Sequence, residues 1–105
     1  MAQFDVYENP NRASKKAYPF LVDIQHHLIA DIATRIVIPL GKLSHFKNEK
    51  MQGLTPNVTY DGESLLLLTP QIASVPATLL KEPIGSLSHM RDEIISSLDF
   101  ATTGI

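Results

Sequence analysis

The residues best suited to acid–base chemistry lie in one stretch of the chain. They are Arg12, Asp23, His26, His27, Asp31 and Arg35. A carboxylate, a histidine and an arginine that converge can cleave a phosphodiester, because the first two move protons and the guanidinium stabilises the developing negative charge. Spacing along the chain does not establish convergence, so hydrolysis is an alternative and not the leading hypothesis.

Metal-dependent and nucleophilic chemistry find little support in the residue pattern. His26 and His27 are adjacent, so on a strand they point to opposite faces, and the chain has no cysteine to complete a tetrahedral zinc site. Ser44 and Ser88 each precede a histidine, but adjacent side chains do not aim at each other and no Gly-x-Ser-x-Gly turn is present. The five glycines are dispersed and form no phosphate-binding loop. We therefore predict no catalytic residue, no metal and no cofactor.

Length and composition indicate a single small globular domain. The 105 residues are enough for one core, and 44% hydrophobic with 19% charged residues is typical of a folded chain. The longest aliphatic run, residues 65–68, is far short of the roughly 20 apolar residues of a membrane span, and no basic and apolar leader opens the chain. We expect one domain over residues 1–105 that is soluble, cytoplasmic and without a membrane contact.

Charge is distributed unevenly along the chain. The net charge is −2, so nonspecific nucleic-acid binding is not the default expectation. Residues 12–50 nevertheless carry seven bases and three acids, whereas residues 51–105 carry two bases and six acids. This basic section either attracts an acidic partner or is an ordinary solvated surface, and the pattern does not choose between the two.

The first 80 residues read as short strands separated by turns. From their alternating or β-branched residues, the candidate strands are 3–7, 20–24, 35–38, 57–60, 63–68 and 72–76. The first of them places Phe4 and Val6 on one face. The run that follows Arg35 is expected to stop at Pro39, because proline has no N–H for a ladder.

The clearest local signal is a hairpin turn. Asp61-Gly62 lies between two β-prone runs and predicts a type I′ turn, because both central residues need positive φ. The polar segment 42–53 is the least determined part of the chain. Its candidate core anchors are Leu43, Phe46 and Met51.

The last 20 residues switch to a helical period. Apolar residues recur at spacings of three or four and form an amphipathic stripe: Leu87, Met90, Ile94, Leu98 and Ala101. We expect Ser86 or Ser88 to cap the start, Asp92 and Glu93 to suit the helix dipole, and the helix to fray before Thr102. Short strands followed by one helix predict a mainly β (α+β) fold, a small curled antiparallel sheet with the helix packed on it.

An ordered set of short matches runs along the whole chain. They are Gln3-Phe4 with Val6-Tyr7, Val22-Asp23 followed by Gln25, residues 37–40, residues 73–76, Leu87-Ser88-His89 and the final Gly104-Ile105. No single match is specific, but in this order they closely resemble the CcdB family of toxins that poison DNA gyrase. The gaps are confined to the loop after Tyr7 and to the region from Ile29 to Thr55.

The resemblance implies a fold and a mode of action. It implies a homodimer with a small SH3-like antiparallel β-barrel and a C-terminal α-helix, in the fold group of the MazF/Kid toxins, and no enzyme activity. Such toxins bind the gyrase A subunit and trap the enzyme with its DNA cleaved, and a CcdA-like antitoxin with a disordered segment removes them. Any contact with DNA is then indirect, through gyrase or the antitoxin, and transcription autoregulation is expected.

Carried over position by position, the resemblance also implies two sets of contact residues. The gyrase-facing set is Gln3, Phe4, His26, Leu28, Asp99, Ala101, Thr103, Gly104 and Ile105. The antitoxin-facing set, in the loop after the first strand, is Glu8, Asn9, Asn11, Arg12 and Ser14. Within the first set, His26, Leu28, Asp99 and Ala101 occupy family positions with changed side chains.

Thr103 is the main departure, because the plasmid family member ends in Trp-Gly-Ile. Losing a buried aromatic anchor typically costs about 2 kcal/mol, a factor of roughly 30 in affinity. Either this chain binds gyrase through other contacts, such as the altered residues 26–28, or it is a weakened toxin.

Two rival functions stay open. The MazF/Kid relatives cut RNA, and Arg12, Asp23 and Arg35 could be recruited to that chemistry, since a fold does not determine a function. The second rival is an inactive scaffold that only binds antitoxin.

Overall fold

A computed structural model describes residues 2–26 and 33–104 of the chain. In this part there are seven strands: β1 Asp5–Glu8, β2 Phe20–Asp23, β3 Thr34–Lys42, β4 Asn57–Tyr60, β5 Glu63–Leu67, β6 Ala73–Pro76 and β7 Gly85–Ser86. One α-helix, α1, spans Arg91–Thr103. Short 3-10 turns lie at Lys47–Glu49, Thr69–Gln71, Ala77–Leu79 and Ser88–Met90.

The strands form one antiparallel sheet that curls around the long strand β3. Their order is β4-β5-β3-β2-β1-β7, and β6 also pairs with β3. The first part of β3, residues 34–37, pairs with β6, and its last part, residues 40–42, pairs with β5. This change of partner bends the sheet into a half-barrel, so the predicted mainly β fold with a C-terminal helix is confirmed.

β3 runs through Pro39, so the prediction that the strand ends there is wrong. The carbonyl of Pro39 accepts a hydrogen bond from the Leu68 amide at 3.0 Å. In an antiparallel strand the nitrogen and carbonyl of one residue point to the same side. The nitrogen of Pro39 therefore faces the point where β3 passes from β6 to β5, and no ladder donor is required at that position.

The two faces of the sheet carry separate hydrophobic cores. The larger core lies under α1 and contains Phe4, Val6, Val22, Ile38, Leu40, Val58, Leu65, Leu67, Leu87 and Ile94. The smaller core, on the opposite face, contains Tyr7, Leu21, Val37 and Leu80. Successive side chains of a strand alternate between faces, so β1, β2 and β3 each contribute to both cores.

Several local predictions hold and others need correction. Asp61 and Gly62 have φ values of 51° and 78°, which confirms the hairpin turn. The first strand begins at Asp5, because Phe4 lies in a turn with φ 72°, although it shares the larger core with Val6. Of the three anchors predicted in segment 42–53, Phe46 is buried and Leu43 half-buried, but Met51 is 55% exposed and is not an anchor.

The C-terminal helix differs from its prediction at both ends. The Ser86 hydroxyl accepts a hydrogen bond from the Ser88 amide at 3.1 Å, so it caps the preceding 3-10 turn and not α1. The helix does not fray before Thr102: the hydroxyls of Thr102 and Thr103 donate to backbone carbonyls one turn earlier, and Gly104 ends the helix with φ 75°. Asp92 and Glu93 lie in its first turn, as predicted.

Among the described residues no helix is long and apolar enough to cross a membrane.

Candidate functional site

The end of α1 is one candidate contact surface. Asp99, Ala101, Thr103 and Gly104 are all exposed there, so Ala101 does not belong to the buried stripe predicted for it. The Thr103 hydroxyl donates to the Asp99 carbonyl at 2.6 Å, which holds the last turn together. Gly104 adopts the left-handed conformation that only glycine takes without strain. The terminal Ile105 lies outside the described residues.

The N-terminal turn lies under the same helix. Phe4 is only 3% exposed and packs in one core with Ile94 of α1. Its carbonyl accepts the Leu87 amide at 2.8 Å, and the Gln3 side chain donates to the Ile24 carbonyl at 3.1 Å. Phe4 is therefore buried in this structure, and its role in binding gyrase stays a prediction. It fixes the half-buried Gln3 beside the end of β2.

The remaining predicted gyrase contacts follow β2. His26 is exposed, two residues past Ile24, to which Gln3 is bonded. Leu28, with the neighbouring His27 and Asp31, lies outside the described residues. The structure therefore brings Gln3 and His26 to the same end of β2, and it does not describe the rest of that stretch.

The loop after β1 is held in shape by one buried asparagine. Asn9 is 7% exposed, and its amide nitrogen donates to the Ser14 hydroxyl at 3.0 Å and to the Tyr18 carbonyl at 2.8 Å. Its amide oxygen accepts the Asn11 N–H at 2.9 Å, and Asn11 in turn accepts the Ala13 N–H. Asn9 and Ser14 thus act mainly within the loop, whereas Glu8, Asn11 and Arg12 are exposed on it. The sequence Asn9-Pro10-Asn11 is typical of a turn, but it does not indicate this network.

Two grooves flank this loop and meet at Pro10 and Leu79. The first has a volume of about 480 Å³ and is lined by charged side chains beside two exposed apolar ones: Glu8, Arg12, Lys15, Lys81, Glu82, Leu79 and Ile84. The second has a volume of about 330 Å³ and a more apolar floor: Leu21, Val37, Pro39, Ala73 and Val75. Leu79 and Ile84 are 50% and 46% exposed. The preformed loop therefore borders a continuous surface on which apolar and charged groups alternate.

The smaller core contains a buried ion pair. Arg35 reaches one oxygen of Asp23 with Nε at 2.8 Å and Nη2 at 2.7 Å, and both side chains are 0% exposed. The other Asp23 oxygen accepts the Gln25 amide, and the Gln25 side chain accepts the Ile36 amide at 3.1 Å. The structure thus brings together two of the residues suggested for RNA cleavage but seals them from a substrate. Arg12, the third, lies on the exposed loop.

The sequence contains one indication of this pair, namely a charged residue within an apolar strand. Asp23 interrupts an apolar run, and in the observed register it lies opposite Val37, two residues from Arg35 on the neighbouring strand. A charge at a core position with an opposite charge diagonally across the ladder indicates a structural pair. The register that places the two together is visible only in the folded sheet.

Tyr7 is a further buried polar group in the smaller core. Burial raises its pKa to about 12, and the charges of Asp5 and Asp23 act in the same direction while Arg35 opposes them. Its hydroxyl has no hydrogen-bond partner among the described residues. Burial also raises the pKa of Tyr60, whose hydroxyl donates to the Ile84 carbonyl at 3.0 Å.

Within residues 2–26 and 33–104, no three metal-ligating side chains lie close enough together to hold an ion.

The fold and the sequence each place the chain among known proteins. A solved structure of an endoribonuclease in complex with its cognate antitoxin, from a mycobacterial species, superposes with a TM-score of 0.73 over 96% of this chain and 93% of that one. The two share 10% identity, so the likeness concerns the fold alone. The family described as CcdB protein matches residues 3–104, and this chain belongs to the CcdB family. Membership indicates a toxin of a toxin–antitoxin pair.

Proposed function

We propose that this chain is a toxin that binds the A subunit of DNA gyrase, traps gyrase with its DNA cleaved, and is neutralised by a CcdA-like antitoxin. The mechanism is binding, with no bond made or broken by the chain's own side chains. The observation that carries the proposal is the exposed, glycine-capped end of α1, where residues that match the family's gyrase-facing positions lie on the surface. Phe4 lies in the core beneath α1, which also contains Ile94 from the first turn of that helix.

Burial of the ion pair favours binding over RNA cleavage. An arginine that stabilises a transition state must reach the reacting phosphate. Arg35 is completely buried against Asp23, so it does not meet a substrate in this conformation. The likeness to an endoribonuclease, at 10% identity, concerns the fold alone and does not carry that activity over to this chain.

We place the antitoxin on the loop after β1 and its two grooves. A disordered segment that folds on binding loses conformational entropy, so a preformed receptor surface lowers the cost of the complex. The Asn9 network provides such a surface. The exposed Leu79 and Ile84 offer apolar contacts beside Arg12 and Lys15.

The proposed form of the toxin is a homodimer. Two copies related by a two-fold axis would present two equivalent helix ends to a two-fold gyrase. Light scattering of the purified chain at several concentrations tests this form, and a monomer throughout would contradict it.

The decisive experiment compares two variants in a gyrase cleavage assay. Deletion of residues 104–105 removes the helix cap and tail, and we expect it to abolish accumulation of cleaved DNA while the protein stays folded. Asp92→Asn, at the opposite end of the same helix, is the matched control and should poison gyrase like the parent chain. The proposal fails if the deletion leaves gyrase poisoning intact, or if the parent chain neither binds the A subunit nor accumulates cleaved DNA. Tight antitoxin binding without poisoning would identify the scaffold alternative.

A further inference from the structure

Folding brings two basic segments of the chain side by side. A third hydrophobic core, separate from the two described above, contains Phe46, Leu66 and Leu68. Ala17 and Tyr18 of segment 12–18 and Leu43 of segment 42–50 pack against it. The Lys42 amide donates to the Ala17 carbonyl at 3.0 Å, and the rings of Tyr18 and Phe46 lie 5.0 Å apart. The bases carried by these segments, called here the basic face, are Arg12, Lys15, Lys16, Lys42, Lys47 and Lys50.

Acidic residues offset only part of this charge. Glu8 pairs with Lys15 at 3.1 Å, Glu49 lies within the second segment, and Glu63 lines a shallow hollow together with Lys42 and Lys47. Six bases and three acids leave a surplus of three positive charges. The rest of the sequence carries three bases and eight acids, so the net charge of −2 conceals a strong separation.

Screening decides whether the local or the net charge governs an approaching partner. The described part of the molecule extends 35 × 32 × 22 Å. The Debye length is about 8 Å at physiological ionic strength, so charges on the far side are largely screened from a partner at the basic face. Such a partner therefore experiences the local positive surplus.

The make-up of the basic face favours a phosphate backbone over an acidic protein. Protein interfaces have apolar or aromatic side chains at a desolvated centre and few lysines. Here the aromatic rings lie beneath the surface, since Phe46 is 9% exposed and Tyr18 half-buried, whereas every base of the face except the half-buried Lys42 is exposed. In residues 2–26 and 33–104, Lys16, Lys47 and Lys50 form no ion pair. Exposed lysines suit sequence-independent contact with phosphates.

We propose that the basic face binds the phosphate backbone of duplex DNA directly, without sequence preference. The net charge in the sequence argued against this, and the expectation was contact with DNA only through gyrase or the antitoxin. The interaction is weak and depends on salt. It brings the toxin to the DNA on which gyrase, its proposed target, acts. It does not require that the chain bind gyrase, so the test uses DNA alone.

The experiment measures fluorescence anisotropy of a labelled 25-base-pair duplex titrated with the purified chain. Three neutralised phosphates predict a slope of about −2.7 in a plot of log K against log salt, or roughly 40-fold weaker binding at 200 mM than at 50 mM salt. Two duplexes of different sequence should bind equally. No binding at 50 mM salt, or a slope near zero, would overturn the proposal.

Charge-matched variants separate the basic face from net charge. Lys47→Glu and Arg91→Glu each change the charge by −2. Arg91 is 60% exposed on α1 beside Asp92, outside the basic face. Lys47→Glu should reduce the slope by about 1, whereas Arg91→Glu should leave it unchanged. An equal effect of both variants would overturn the proposal, because net charge would then explain the binding.

A neutral triple variant and a competitor complete the test. Lys16→Gln/Lys47→Gln/Lys50→Gln introduces no new repulsion and should abolish binding while thermal unfolding stays cooperative. Polyglutamate of the same total charge as the duplex should compete poorly. If it binds more tightly than the duplex, the basic face serves an acidic protein and the DNA proposal is wrong.

Discussion

Replacing Arg35 with methionine should destabilise this domain by about 3–5 kcal/mol, because the change leaves the Asp23 carboxylate buried without a counter-charge. Two nitrogens of Arg35 lie 2.7 and 2.8 Å from one Asp23 oxygen, and neither side chain is exposed. Small domains are stable by only about 5–15 kcal/mol, so the expected loss is a large part of the total. It corresponds to a fall of roughly 15–30 °C in Tm.

Restoring charge balance should recover much of this stability. In Asp23→Asn/Arg35→Met no buried charge remains, and the asparagine oxygen can still accept the Gln25 amide. Methionine also removes Nη1 of Arg35, the guanidinium nitrogen that does not contact Asp23 and has no hydrogen-bond partner among the described residues. Buried ion pairs are often replaceable by uncharged groups at little net cost. We therefore expect the double variant to be within about 2 kcal/mol of the parent chain.

The ion pair between Glu8 and Lys15 provides a matched control. Its nitrogen–oxygen distance of 3.1 Å is similar, but the side chains are 61% and 47% exposed. Exposed pairs contribute little, so Lys15→Met should change stability by less than about 1 kcal/mol. Each pair joins a cation to a carboxylate at a similar distance, so burial is the main difference between them.

Urea unfolding followed by circular dichroism measures all four proteins. The midpoint and the slope m together give the free energy of unfolding, and an unchanged m indicates that the comparison is valid. The reasoning is refuted if Arg35→Met costs no more than Lys15→Met, or if the double variant is as unstable as Arg35→Met alone.

Three further predictions concern other parts of the molecule. Unfolded tyrosine ionises near pH 10 while burial raises the pKa of Tyr7 to about 12, so the unfolded state loses its proton first and stability falls by roughly 2–3 kcal/mol from pH 10 to 12. Tyr7→Phe should flatten this fall in urea titrations at pH 9 and 11, and an unchanged fall would contradict it. In Gly41→Ala the added carbon would lie 2.6 Å from Phe46 and 2.7 Å from Leu68, which should cost about 1–3 kcal/mol by the same method unless the ring moves freely. Thr103→Trp should leave unfolding unchanged but tighten binding to a gyrase A fragment by roughly 30-fold in calorimetry, and unchanged affinity would count against insertion of the helix end.

The parts of the fold that follow from neighbours along the chain were predictable. Asp61-Gly62 predicts its turn because the two residues tolerate the positive φ values that the turn requires. The stripe that includes Leu87, Ile94 and Leu98 predicts a helix because helical spacing places these side chains on one face. The family assignment, which rests on an ordered set of residues, was likewise available from the sequence and is confirmed over residues 3–104.

The candidate site was only partly predictable. The exposed helix end at Thr103 and Gly104 agrees with its expected placement on the surface. Phe4 was expected to face a partner, but the turn at this residue directs its side chain beneath α1. Alternation along a short strand identifies a face, and it does not say whether that face meets solvent or another element.

The sequence by itself determined the hairpin turn, the amphipathic helix and the family, because each depends on residues close in the chain or on their order along it. Only the tertiary structure decided that β3 continues past Pro39, that Asp23 and Arg35 neutralise each other, and that two distant basic segments share one surface. These outcomes depend on strand partners and register. They are set by long-range packing, in which residues far apart in sequence compete for the same buried space.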